Sequence, residues 1–263
     1  MKFSEKVALV TGAGSGIGKA TAIELARHGA KVGVLSRTLV QIEQTVADIE
    51  TANGQAIALK ADVSEPEQMA SAVDALVDTY GKIDIVFANA GINGTWAPVE
   101  EITSDEWDAT IDINLKGTFL TVKYSVPHLK RAGGGSIAIC SSVQGTRMFN
   151  VTGSSVYSAS KAAQVTFAKK LAVELGPSHI RVNAICPGSF YSEIGDNTFP
   201  RNVESIEMRP GREKFPRGPI PLTGGTPGEP AQIGKLVVFL ASDDARHISG
   251  TEIWIDGAES LLV

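Results

Sequence analysis

Residues 7–36 read VALVTGAGSGIGKATAIELARHGAKVGVLS. A short apolar run stops at a cluster of glycines, Gly12, Gly14, Gly16 and Gly18; GKATAIELARHG then carries its apolar residues at helical spacing, and VGVLS is apolar again. That succession is strand, tight turn, helix, strand. The helix starts near Ser15, so its first amide groups point into the turn and favour an anion there. The strict dinucleotide spacing G-x-G-x-x-G is absent. What the physics requires is still present: Gly12 for the turn, Gly16 for close approach of backbone to phosphate, Gly18 for packing of helix on strand, with Ser15 and Ile17 in the same turn.

Outward from this unit the rhythm repeats. Further strands are expected at 56–62 (AIALKAD), 83–89 (IDIVFAN), 136–140 (SIAIC), 180–186 (IRVNAIC) and 252–256 (EIWID). Helix-period segments lie between them, including one long segment at 103–131, and Gly29, Gly54, Gly81 and Gly176 are expected to close helices. Strands this apolar are buried on both faces, which predicts an α/β fold: a doubly wound parallel sheet of about seven strands with helices on both faces. No linker-like composition shift interrupts residues 1–263, so one domain is expected. The polar, Pro- and Gly-rich segment Ser189–Gly228 breaks the rhythm. It is too long for an ordinary connection and follows a strand end, so it is expected to be a substrate lid, with Phe190, Tyr191, Phe199, Met208 and Phe215 as its apolar residues.

Bulk composition narrows the function classes. The chain has 263 residues, 43% hydrophobic and 20% charged, and a net charge of -5. No broad basic surface exists for a nucleic-acid backbone. No apolar run approaches the roughly 18 residues that span a bilayer, and Glu5 and Lys6 interrupt the N-terminal run, so neither membrane anchoring nor secretion is expected. Cys140 and Cys186 each end an apolar run and are read as buried reduced thiols, which fits the cytoplasm. No metal site is expected. His28, His128, His179 and His247 stand singly and are read as surface residues.

Two local patterns carry chemistry. At the end of the second strand Ser36 and Arg37 stand where an NAD site usually places an acid for the ribose 2′-hydroxyl. A guanidinium there could pair with a 2′-phosphate, which favours NADP(H), with NAD(H) as the alternative and an exposed strand-end Arg as the plain reading. Farther on, YSASK places Tyr157 and Lys161 one helical turn apart, on one face. A phenol has a pKa of about 10 and is a poor base at neutral pH. A neighbouring ammonium is expected to lower it.

TGAGSGIG at 11–18, Asp62-Val63, Asn89-Ala90-Gly91, Asn114, Ser142, YSASK at 157–161 and Pro187-Gly188 together resemble the short-chain dehydrogenase/reductase family, in its order and over essentially the whole chain. The resemblance implies a Rossmann-like three-layer fold and an oxidoreductase that interconverts a carbonyl and a secondary alcohol by hydride transfer. It implies that Tyr157 is the general acid or base, that Lys161 tunes it and holds the nicotinamide ribose, that Ser142 holds the substrate oxygen, and that Asn114 supports a water relay to Lys161. Ser141 competes with Ser142; the continuation Val143-Gln144-Gly145 favours Ser142. Asp62 and Val63 are implied at the adenine, Asn89, Ala90 and Gly91 at the adenosine ribose, and Ser192, where the family often has Thr, at the nicotinamide carboxamide. The stretch from Ser142 to Tyr157 is about two residues longer than the commonest spacing, which reshapes the pocket. The family also implies a homotetramer. Phe149, Phe190 and Tyr191 point to a moderately apolar pocket for a small carbonyl or alcohol. Within enzymes the alternative is an NAD(H)-dependent alcohol, polyol or hydroxysteroid dehydrogenase; a non-catalytic dinucleotide sensor would need the glycines but not Ser142, Tyr157 and Lys161.

Overall fold

The computed structural model describes residues 2–206 and 218–262. Seven parallel strands form its main sheet: β1 (Val7–Thr11), β2 (Lys31–Ser36), β3 (Gln55–Lys60), β4 (Ile85–Ala88), β6 (Gly135–Cys140), β7 (Ile180–Pro187) and β9 (Glu252–Ile255), in the order 3-2-1-4-6-7-9. Two short strands, β5 (Gly94–Trp96) and β8 (Thr198–Pro200), pair apart from it.

Strand pleat decides which residues meet which helices. Val7 and Leu9 of β1 join the layer of α3 (Pro66–Tyr80), α5 (Gly117–Arg131) and α6 (Ser155–Leu175), where Met69, Leu76, Leu129 and Leu171 are buried. Ala8 and Val10 join the opposite layer with α1 (Gly16–Arg27), α2 (Leu39–Thr51) and α7 (Pro230–Ala241), through Leu25, Ile42, Ile49 and Ile233. Each fully buried Leu, Ile or Met side chain contributes about 2 kcal/mol. The doubly wound sheet read from the sequence is the observed one, a single Rossmann-like domain.

The differences lie at element ends. The long helix expected over 103–131 is three pieces: α4 (Ser104–Ile111), a wider π turn over Asp112–Lys116, and α5. A capping box between Thr103 and Glu106 fixes the start of α4. Gly81 closes α3 in the left-handed conformation and Gly29 follows α1 with φ 97°. Gly176 is the C-cap of α6, in a right-handed conformation at φ −51°. Gly54 is the exception, because Asn53 before it takes the positive φ of 59°. Asn tolerates that region nearly as well as Gly, so the glycine need not hold it.

The segment after β7 is tied at its base. Tyr191 N donates to Gly228 O at 3.1 Å and Gly228 N to Ser189 O at 2.9 Å. Farther out β8 pairs with β5, and Arg201 makes a two-pronged ion pair with Glu106 at 2.7 and 3.0 Å. That pair holds the Glu106 carboxyl down at about 2, chiefly through the Arg201 hydrogen bonds. Met208 and Phe215, expected among the lid's apolar residues, lie outside the described residues.

Candidate active site

The chain leaves β1 toward β2 and β3, then returns to place β4 on the other side of β1. Loops diverge at such a switch point and leave a crevice beyond the strand ends. A cavity of about 590 Å³ opens there. The residues singled out in the sequence line it, from Arg37 to Tyr157, except Gly18 and Asn114, which stand behind the wall. Asn89 ties the two strand ends together: its N–H and that of Ala90 donate to Thr11 Oγ1 at 3.0 and 3.1 Å, and its Nδ2 donates to Thr11 O.

The glycine turn fits a pyrophosphate. Gly12 and Gly16 have φ of 64° and 49°, where other residues are strained. A Cβ on Gly16 would lie 3.3 Å from Ser192 Cβ, so the gap between turn and loop exists only because Gly16 has no side chain. Ser15 is the N-cap of α1 yet makes no side-chain cap bond, and the first turn carries no acid. The leading amides of α1 are therefore left to an anion from outside.

At the other end of the cavity Ser142, Tyr157 and Lys161 converge, all buried. α6 begins at Ser155, earlier than its apolar pattern foretold, which puts YSASK in its first two turns. Ser142 hydrogen-bonds the Tyr157 phenol. Ser141, the competitor, turns away and donates to Lys161 O at 2.7 Å. Lys161 Nζ donates to Cys140 O at 2.8 Å and sits 5.6 Å from the Tyr157 ring centre. Asn114, in the π turn, accepts from Ile92 N at 2.8 Å and donates to Ile92 O and Ser160 Oγ at 2.9 and 3.0 Å. A Cβ on Gly91 would meet both Asn114 Oδ1 and Lys161 Nζ, at 3.2 and 3.4 Å. That glycine lets the two groups close on one point.

The electrostatics differ from the sequence expectation. Burial pushes the Tyr157 phenol above its ordinary value, against the hydrogen bond from Ser142. Burial likewise pushes Lys161 down, against Cys140 and Cys186. An ammonium lowers a phenol's pKa only when both charges are cheap to form, and here neither group has water around it. In the chain by itself Tyr157 is a protonated acid. At the far end Arg37 lies 3.5 Å from Asp62. Burial raises the Asp62 carboxyl, but bonds from Ser64 and the Arg37 charge outweigh that and hold it below its ordinary range.

Some wall residues carried no sequence signal. Glu259 is buried, lines the cavity, and accepts from Ser189 N and Oγ, both at 2.9 Å. It bonds a residue 70 positions earlier, so no local pattern could announce it. Gln144 also lines the cavity. The apolar pocket expected from aromatics is corrected: Phe149 and Tyr191 are 69% and 50% exposed and do not line this cavity, and only Phe190 does. His179 and His247 are exposed as expected, while His28 and His128 are half-buried, His28 Nδ1 against Glu24 O and His128 against Arg131. Among the described residues no cluster could hold a metal, no helix is long and apolar enough to cross a membrane, and both cysteines are free and buried.

A family model described as short chain dehydrogenase matches residues 6–202. The chain belongs to the short-chain dehydrogenase/reductase family. Among curated members, the cyclohexanol dehydrogenase of Acinetobacter sp. (strain SE19) is 35% identical over 257 residues, covering 98% of this chain and 96% of its own. The structure of a 3-ketoacyl-ACP reductase from Sinorhizobium meliloti 1021 superposes with a TM-score of 0.93 at 50% identity, over 98% of this chain and all of that one. Two other family structures carry a cofactor. A 3-ketoacyl-(acyl-carrier-protein) reductase from Brucella melitensis is complexed with NADH (TM-score 0.86, 31% identity, 98% and 99% covered), and a Burkholderia cenocepacia J2315 short chain dehydrogenase is in complex with NADP (0.83, 31%, 98% and 98%). This member is accordingly an oxidoreductase of CH–OH and C=O groups that uses a nicotinamide dinucleotide.

Proposed function

We propose that the chain is an NADP(H)-dependent oxidoreductase that interconverts a carbonyl and a secondary alcohol, with Tyr157 as the general acid or base. The observation that carries this reading is the single cavity that joins the glycine turn at one end to Ser142, Tyr157 and Lys161 at the other. The dinucleotide, when bound, supplies or takes the hydride. Gly12, Ser15, Gly16 and Ile17 would hold its pyrophosphate, with Gly18 packing α1 close behind them, Asp62 and Val63 the adenine, Asn89, Ala90 and Gly91 the adenosine ribose, and Pro187, Gly188 and Ser192 the nicotinamide. Lys161, fixed by Cys140 O, would hold the nicotinamide ribose.

Within the chain the proton path runs through three groups. Ser142 Oγ orients the substrate oxygen toward Tyr157. The phenol donates its proton to that oxygen in reduction and takes it back in oxidation. Asn114 has one acceptor position on Oδ1 left after its bond from Ile92. It stands beside Lys161 at Gly91, placed to support a relay that returns the proton from solvent.

The NADP(H) preference rests on Ser36-Arg37, which line the cavity at the end of β2 where that strand itself supplies no acid. Thr38, the N-cap of α2, has no side-chain cap bond, which leaves its hydroxyl and the α2 amides to a 2′-phosphate. The pairing of Arg37 with Asp62 favours the alternative NAD(H) reading, because a guanidinium already engaged has less to offer. Fluorescence titration separates them. NADPH is expected to bind wild type more tightly than NADH, with the preference falling about 10–100-fold in Arg37→Ala, the worth of one charge-assisted contact. Equal affinity for the two cofactors in wild type overturns the NADP(H) reading. Absence of turnover across a panel of ketones and secondary alcohols overturns the function.

We place the reaction in the cytoplasm, where the thiols of Cys140 and Cys186 stay reduced, and in a homotetramer. Trp107 of α4, Phe119 of α5 and Val173 of α6 are 46%, 45% and 77% exposed on elements near Asn114 and Tyr157, and burying them would favour assembly. Light scattering is expected to give four times the chain mass; a monomer at micromolar concentration removes the tetramer.

A further inference from the structure

Behind Ser142 the chain makes a short 3-10 turn, Val143–Gly145, that is held on two sides. Gln144 N donates to Ser142 Oγ at 3.2 Å. A Cβ on Gly145 would lie 2.6 Å from both Lys161 C and Ala162 N, so the turn is pressed against α6 beside the reacting groups. Gln144 is thus fixed next to the hydroxyl that meets the substrate oxygen, and its side chain lines the same cavity. Gln144 Oε1 is out of reach of solvent and has no hydrogen-bond partner among the described residues.

Buried polar atoms are nearly always bonded, so this acceptor calls for a donor; the side chain lines the cavity, and a turn of the carboxamide about its soft terminal torsion brings Oε1 to a ligand there. A carboxamide offers one acceptor and one donor group whichever way it is turned, and a hydroxyl matches it with one donor and two lone pairs. The rest of this end of the cavity is polar but not cationic. Asn93, Asp196 and Asn197 line the cavity as well, with Glu193 beside Gly16, and among the described lining residues the only cations are Lys161 and, at the far end, Arg37. A carboxylate or phosphate on the substrate would find acids on the cavity wall and no free cation near Tyr157.

We propose that Gln144 is a specificity-determining residue that hydrogen-bonds a hydroxyl on the carbon next to the reacting one, so that the preferred substrates are neutral α-hydroxy ketones and the corresponding vicinal diols. This rests on the oxidoreductase reading above and narrows it. A site built around a substrate hydroxyl discriminates strongly against the analogue that lacks it, because the buried carboxamide is then left unpaired.

The test compares kcat/KM for 1,2-cyclohexanediol and for cyclohexanol in wild type, Gln144→Leu and Gln144→Met, with NADPH titration and a melting curve to establish that each variant is folded. The expected diol preference in wild type is about 30-fold, falling to within about threefold of unity in both variants. A wild-type ratio near one overturns the proposal, as does a ratio that survives both substitutions. The two variants fill the space with different shapes, so a folding defect in one leaves the other to decide. Turnover of cyclohexanol without diol preference sinks the role of Gln144 alone. Failure of wild type to turn over either alcohol or its ketone sinks this inference, and the oxidoreductase reading falls with it only if the wider panel of ketones and secondary alcohols is inert too.

Discussion

Tyr157→Phe is expected to lower kcat/KM by about 10³-fold, within the 10²–10⁴ that a positioned general acid contributes, while dinucleotide affinity stays within about threefold, since a lost general acid touches the transition state and not uniform binding. The substitution removes one oxygen from a fully packed position and leaves Ser142 bonded to Gln144 N, so the fold loses little. The direction of the pKa shift gives a second, independent readout. Burial raises the Tyr157 phenol above its ordinary value, so at neutral pH the residue is almost wholly protonated. Carbonyl reduction needs that proton and is expected to be flat with pH through the neutral range. Alcohol oxidation needs the phenolate and is expected to climb with pH past 8 and 9, about tenfold per unit while the base form is scarce. Oxidation that levels off near neutral pH would mean that the phenol is depressed once the site is loaded and that Lys161 carries its charge there. Retention of more than a tenth of wild-type kcat in Tyr157→Phe would remove Tyr157 as the acid.

Gly18→Ala is the second large effect. One methyl group on this α1 residue would lie 2.1 Å from Gly12 O and 2.7 Å from Asn89 Nδ2. Backbone is the obstacle, so no side chain can turn aside. Either α1 lifts off β1 or the turn at Gly12 opens, and both undo the cradle that presents the α1 amides. Overpacking of this kind costs about 1–3 kcal/mol and sometimes more. The expected outcome is a fall in melting temperature and at least a 100-fold loss of dinucleotide affinity, as the anion loses several aligned amides together. Gly176→Ala is the matched control. Its backbone is right-handed and nothing lies within 4 Å of the added atom, so it is expected to be neutral or to stabilise by about 0.4–1 kcal/mol through the unfolded state. Dinucleotide binding by Gly18→Ala at wild-type affinity would show that the turn does not carry the phosphate.

Much of this was legible because parallel α/β folds write their physics locally. β1, the glycine turn and α1 are contiguous, and each is specified by its own residues: apolar runs for a strand buried on both faces, glycines where φ is positive, apolar periodicity for a helix. The same holds for YSASK, since one helical turn separates Tyr157 from Lys161 whatever the rest of the chain does. The boundaries slipped where tertiary contacts override local preference. The π turn around Asn114 is one such place, and its side chain is bonded to Ile92 and Ser160 from other elements. Gly54 is another, where the preceding Asn53 took the left-handed position.

By itself the sequence determined the layered α/β fold and the family, and it carried the proposal for the glycine cradle and the reacting side chains, because spacing along one element fixes direction. Only the tertiary structure decided how those groups are charged and what surrounds them. Desolvation depends on every layer packed around Tyr157 and Lys161, so a lowered phenol, reasonable from spacing, became a raised one. Which serine faces the phenol also came from the fold: Ser142 bonds Tyr157, while Ser141 turns to Lys161 O. Glu259 reached the site from the far end of the chain to hold Ser189, and the unpartnered Oε1 of Gln144 is visible only once the described residues around it have been placed in space.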